Sequence, residues 1–102
     1  AAMEKQRLMW EQFCQKYSGK LSAEETRASR EEALQMLEKK DTLPPIRLKI
    51  AKYISDGYTL ERNLPKALEY LEIARDADPE SQAAKKLEPW IDNMRKHINQ
   101  EK

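Results

Sequence analysis

Cys14 and His97 each occur once in the chain, and they are the first side chains to ask for chemistry. A thiol becomes a nucleophile when a base or cation lowers its pKa, and no histidine lies near Cys14 in sequence. On a helix Cys14 shares a face with Trp10, Phe13 and Tyr17, which predicts a buried, inert thiol. His97 follows Arg95 and Lys96 close to a helix C-terminus, a place for a surface cation facing the helix dipole. The sequence has no Ser, His and Asp arrangement, no glycine-rich phosphate loop and no metal-ligand spacing. Neither an enzymatic role nor a cofactor is expected. What remains is cationic binding chemistry. Arg47, Lys49 and Lys52 precede every acidic residue on their helix, so the local field there is positive. A second set, Lys85, Lys86, Arg95 and Lys96, is interrupted by Glu88 and Asp92, which argues against a nucleic-acid face.

The composition says what must position these groups. Charged residues make up 36% of the 102-residue chain and nearly cancel, leaving a net charge of +1. A single domain of this size buries only about 60 to 70% of the surface its unfolded chain exposes, so the core is expected to be thin. There are two glycines and no valine, and Leu, Ala, Glu, Lys, Gln and Arg dominate. These residues lose little side-chain freedom in a helix, and the fold class read from them is all-α. No apolar run approaches the ~20 residues that span a bilayer, and no signal-peptide block opens the chain. The compartment is unknown from the sequence; a soluble cytoplasmic protein is favoured, with an exported soluble domain left open. Ala1 and Ala2 ahead of Met3 read as an appended remnant. With one cysteine, an internal disulfide is excluded.

Five helices are predicted in one domain spanning residues 1–102. The first covers 3–18, with Met3, Trp10, Phe13, Cys14 and Tyr17 on one side, Leu8 almost opposite and Gly19 as the stop. The second, 22–40, opens on SAEE, the pattern of a capping box through Ser22 and Glu25; Ala23, Ala33, Leu34 and Leu37 form its modest apolar face. Pro44 and Pro45 forbid its continuation. Pro45 starts the third helix, 45–58, with one apolar region at Ile46, Ile50, Tyr53 and Ile54, another at Leu48, Ala51 and Tyr58, and Gly57 supplying freedom for a turn. Asn63 caps the fourth, 64–77, which is expected to be the most enclosed. The fifth, 79–99, carries Ala83, Ala84, Leu87, Trp90, Ile91, Met94 and Ile98 on one stripe. Pro89 inside that stripe removes a backbone bond at about 3 kcal/mol, and a kink or break is expected there. Trp10 and Trp90 are both assigned to the core.

The chain also repeats itself. EEALQMLEKKDTLPP at 31–45 aligns without a gap on PKALEYLEIARDADP at 65–79, an offset of thirty-four residues. Ala33, Leu34, Leu37, Glu38 and Pro45 match Ala67, Leu68, Leu71, Glu72 and Pro79. About one chance identity is expected from ordinary residue frequencies. Antiparallel helix pairs at this period resemble the tetratricopeptide repeat. Its recurring positions fall on Ala51, Ile54, Tyr58, Ala67, Leu71, Ala74 and Pro79. The related Sel-like repeat is matched by Gly57 and by Lys66 with Ala67, and is departed from at Thr59 and Asn63. The resemblance covers 46–79 well. Upstream only Ala33, Leu37 and Pro45 fit, Lys40 standing where a small residue belongs. Downstream, Lys85 and Glu88 fill positions that should be apolar, which makes the last helix a terminal cap. The architecture so implied is a short α-solenoid of stacked helix–turn–helix repeats, either complete or part of a longer array.

In tetratricopeptide proteins the first helix of each pair lines a concave groove, and the resemblance places Lys49, Lys52, Asp56 and Thr59 there. Resemblance and charge together imply a protein-interaction module that takes a peptide or helix of a protein partner, through an acidic segment or a C-terminal carboxylate. A reading in which the lysines only solvate the helix stays open beside it. So does a self-associating scaffold or an assembly or chaperone-type adaptor, because open repeat arrays end in exposed apolar surface.

Overall fold

The double proline at 44–45 sets the architecture, because it ends one helix and pre-shapes the first turn of the next. A computed structural model describes residues 2–100. Five helices follow in order: α1 (Ala2–Lys16), α2 (Ala23–Glu38), α3 (Pro44–Leu60), α4 (Leu64–Ala77) and α5 (Gln82–Gln100). No strand occurs among the described residues. From α2 onward each helix packs on the next through a short connection, α2 on α3, α3 on α4 and α4 on α5, as a helical-repeat stack, while α1 packs on α3. The molecule is a flattened body with extents of 46 × 35 × 22 Å. Ala1, half of the remnant reading, lies outside the described residues.

Each boundary has a local cause. Ser22 Oγ accepts from the Glu25 amide and the Glu25 carboxylate accepts from the Ser22 amide, both at 3.1 Å, completing the capping box that opens α2. The helix stops at Glu38 rather than Lys40, and Arg47 reaches back from α3 to donate to the carbonyls of Leu37 and Lys39 at 3.1 and 3.0 Å. Helix α3 starts at Pro44, one residue earlier than expected. It runs through Gly57 to Leu60, so Gly57 makes no turn. Arg62 makes it instead, in the left-handed region at φ 60°, and Asn63 then caps α4 by accepting from the Lys66 amide. Pro79 disfavours helical geometry at Asp78, and α4 ends at Ala77. The next helix begins not at Pro79 but at Gln82, because Asp78 to Ser81 form a tight turn and Ser81 Oγ becomes the cap, accepting from the Ala84 amide at 3.1 Å. Helix α5 then passes through Pro89 without a break.

The most extensive packing lies between α3 and α4. Ala51, Ile54 and Ser55 on α3, with Ala67, Leu71 and Ala74 on α4, are at most 1% exposed. Small side chains bring the two backbones close enough for Ser55 Oγ to donate to the Ala67 carbonyl at 2.7 Å. The enclosed helix is therefore α3, with six buried residues against three on α4, the reverse of the expectation. Its two apolar regions explain this: α3 is the element that meets α1, α2 and α4. The sequence repeat is also a repeat of environment. Ala33 and Ala67 are both fully buried, Leu37 and Leu71 are both buried, and Leu34 and Leu68 are both half-buried.

Helix α1 is held differently. It packs on α3 through an aromatic cluster: Trp10 and Phe13 stack at 4.9 Å, and both meet Tyr53 edge-on at 5.7 and 5.1 Å. Against α2 its links are polar. Tyr17 Oη donates to Glu32 at 2.6 Å and Lys16 Nζ donates to the same carboxylate at 3.1 Å. The Gln6 amide bridges to the 41–43 connection, donating to the Asp41 carbonyl and accepting from the Leu43 amide, each at 2.8 Å.

Candidate functional site

The outward stripe of α3 is generated by the helix itself. Residues three and four apart share a face, so burying Ile46, Ile50 and Ile54 turns Lys49, Lys52, Asp56 and Thr59 away from the core. Lys49, Asp56 and Thr59 are exposed and Lys52 is half-buried. Lys52 Nζ pairs with Asp56 Oδ2 at 3.2 Å, and Thr59 Oγ1 donates back to the Ser55 carbonyl at 2.9 Å. Among the described residues Lys49 forms no ion pair, which leaves its ammonium open to an outside acceptor. Arg47, counted with these cations in the sequence, is turned onto the end of α2 and is not part of the face.

The neighbours of this stripe come from α1 and α5. Cys14 is exposed rather than buried. Partial desolvation raises its thiol pKa, and the nearby Lys49 ammonium pulls in the opposite direction. The aromatic cluster takes the buried side of α1 with Trp10 and Phe13 alone, leaving Cys14 beside the α3 stripe. Trp90 is the larger correction. It is 55% exposed, and Lys52 Nζ lies over its ring at 5.5 Å from the centroid, inside cation–π range. Ala84, Leu87 and Ile91 hold the buried side of α5. At 100° per residue Trp90 stands about 60° beyond Leu87, on the edge of the stripe, and Ala83 on the same edge is exposed too. That edge position was the available signal that Trp90 leaves the core.

The acids of α5 lie on its other flank. Glu88 pairs with Arg75 of α4 at 3.4 Å, and Arg95 pairs with Glu72 of α4 at 3.1 Å and with Asp92 at 4.0 Å. Lys86 falls opposite Arg95 on the helical circumference, about 40° from Trp90. Arg95 is thus neutralised and separated from Lys86, and the four cations considered for nucleic acid do not form one surface.

At the far end of the α3 stripe lies a hollow of about 400 Å³ between residues 17–21, α2 and α3, lined by Tyr17, Leu21, Arg30, Tyr53, Asp56 and Leu60. Leu60 is 80% exposed there. Arg30 is a fixed wall: its guanidinium covers the Tyr58 ring at 4.4 Å and meets Glu61 at 2.7 Å, while Tyr58 stacks on Tyr70. His97 is exposed. Among the described residues no group of three or more His, Cys, Asp or Glu could hold a metal ion, and no helix is long and apolar enough to cross a membrane. The chain matches no protein-family model, no curated protein and no solved structure.

Proposed function

We propose that this chain is a protein-interaction module, a divergent helical repeat of the tetratricopeptide kind, that receives an acidic segment or a C-terminal carboxylate of a partner on the outward face of α3. The observation that carries the reading is the exposed Lys49, which forms no ion pair among the described residues, beside Lys52 on a face where Asp56 is already bonded to Lys52. A carboxylate approaching there gains charge-assisted hydrogen bonds from ammonium groups that a rigid, buried helix holds in place. Repeated burial of Ala33 and Ala67 at equivalent positions supports the repeat assignment. The test is affinity capture from the source cell at low salt, with wild-type protein beside the Lys49→Glu, Lys52→Glu double variant. A partner held by the wild type and lost by the variant is the expected outcome; capture that persists unchanged contradicts the acidic-ligand reading.

A second reading, self-association, is favoured by the apolar side chains that α1 leaves in solvent. Met3, Leu8 and Met9 are 39%, 48% and 40% exposed. Sedimentation across a concentration series distinguishes the two, since a mass that stays monomeric throughout removes the scaffold.

A further inference from the structure

An exposed tryptophan next to ammonium groups is an unusual surface. Indole carries the largest apolar area of any side chain and is normally withdrawn from water, yet Trp90 is 55% exposed. Its helix does not need it for docking, because Ala84, Leu87 and Ile91 are 0%, 4% and 0% exposed without it. Lys52 Nζ covers part of the ring from α3, which places the indole beside Lys52, one helical turn along α3 from Lys49. The acids of α5 are drawn to the opposite flank by Arg75 and Arg95. The surface left on this side joins one large apolar plate to the Lys52–Asp56 pair and, one turn along α3, to the unpaired Lys49.

From this we infer that Trp90 is a specificity-determining contact of the α3 face, and that the ligand is an acidic peptide carrying an aromatic or large apolar side chain next to its carboxylates. This rests on the acidic-ligand reading of Lys49 and Lys52 and adds to it the side chain the ligand must bring. Charge complementarity selects the occupant: a basic segment would meet Lys49 and Lys52 with like charge, and an apolar segment without acids would leave the Lys49 ammonium unpaired. The aromatic side chain stacks on the uncovered part of the indole while its flanking carboxylates reach the lysines.

Two dye-labelled, end-blocked peptides test the inference by fluorescence polarisation at low salt: Asp-Glu-Phe-Asp-Glu and Asp-Glu-Ala-Asp-Glu. The wild type is expected to bind the phenylalanine peptide about fivefold to tenfold more tightly than the alanine peptide, the range of one aromatic pair. Trp90→Ala should bring the two peptides to the same affinity by weakening only the first. Lys49→Glu with Lys52→Glu should weaken both. Equal affinity of the two peptides for the wild type, a comparison that involves no variant, overturns the role of Trp90 and leaves the acidic-ligand reading standing. Failure of the wild type to bind either peptide, or indifference of both to the charge reversal, overturns the acidic-segment reading and this inference with it.

Discussion

Arg62 holds the α3–α4 connection in a conformation that its own side chain opposes. A non-glycine residue in the left-handed region costs about 1 to 2 kcal/mol, and Arg62 adopts φ 60° between the end of α3 and the cap at Asn63. Glycine removes that cost while adding about 0.5 to 1 kcal/mol of unfolded-state entropy. Arg62→Gly is therefore expected to stabilise the fold by up to about 1 kcal/mol, read as a higher urea midpoint at unchanged slope; a lower midpoint would contradict the strain. The same residue marks a limit of sequence reading. Gly57 was the natural candidate for the turn, yet it lies inside α3 with ordinary helical neighbours. Cys14 and Trp90 were misplaced for a related reason: on an apolar stripe, only the residues at its centre are certain to be covered.

At the scale of the element, α1 is the helix that depends on charge. Its apolar side is narrow, and its register against α2 is held by one carboxylate, Glu32, shared by the Tyr17 hydroxyl and the Lys16 ammonium. Those hydrogen bonds, Tyr17's first and then Lys16's, hold the Glu32 carboxyl below the usual carboxylate range. The same bond to Glu32 raises the pKa of both Tyr17 and Lys16. A lowered acid contributes stability above its unfolded pKa and loses it as pH falls through the folded one; a raised phenol or ammonium contributes below its unfolded pKa and loses it as pH rises through the folded one. Docking of α1 is thus expected to weaken at both extremes and to be strongest between them. Amide exchange of α1 against pH measures this, and Glu32→Gln should flatten the acid limb. An acid limb as steep in the variant as in the wild type would assign it to other carboxylates. The capping box of α2 and the proline start of α3 were legible because their chemistry is local. The Glu32 latch and the Gln6 bridge were not, since they join residues fifteen or more positions apart.

The whole molecule is a stack in which α3 does two tasks. Its buried side is the centre of the core, with Ile50 and Ile54 at 1% and 0% exposure, and its outward side carries the candidate site. Placing binding groups on the best-anchored helix limits the ordering cost a ligand must meet. The thirty-four-residue offset was readable because it repeats packing positions, and the all-α class followed from composition. The site was readable only in part. Lys49, Lys52, Asp56 and Thr59 could be placed on one face from their spacing, but that Arg47 turns onto α2 and that Trp90 joins from α5 depend on how helices meet. The most direct measurement of the central claim is chemical-shift mapping of the ¹⁵N-labelled protein with the acidic Asp-Glu-Phe-Asp-Glu peptide at low salt. Shifts concentrated at Lys49, Lys52, Asp56, Thr59 and the Trp90 indole are predicted. Shifts confined to α2 and α4, or an equal response to a peptide with lysines in place of the acids, would contradict the account.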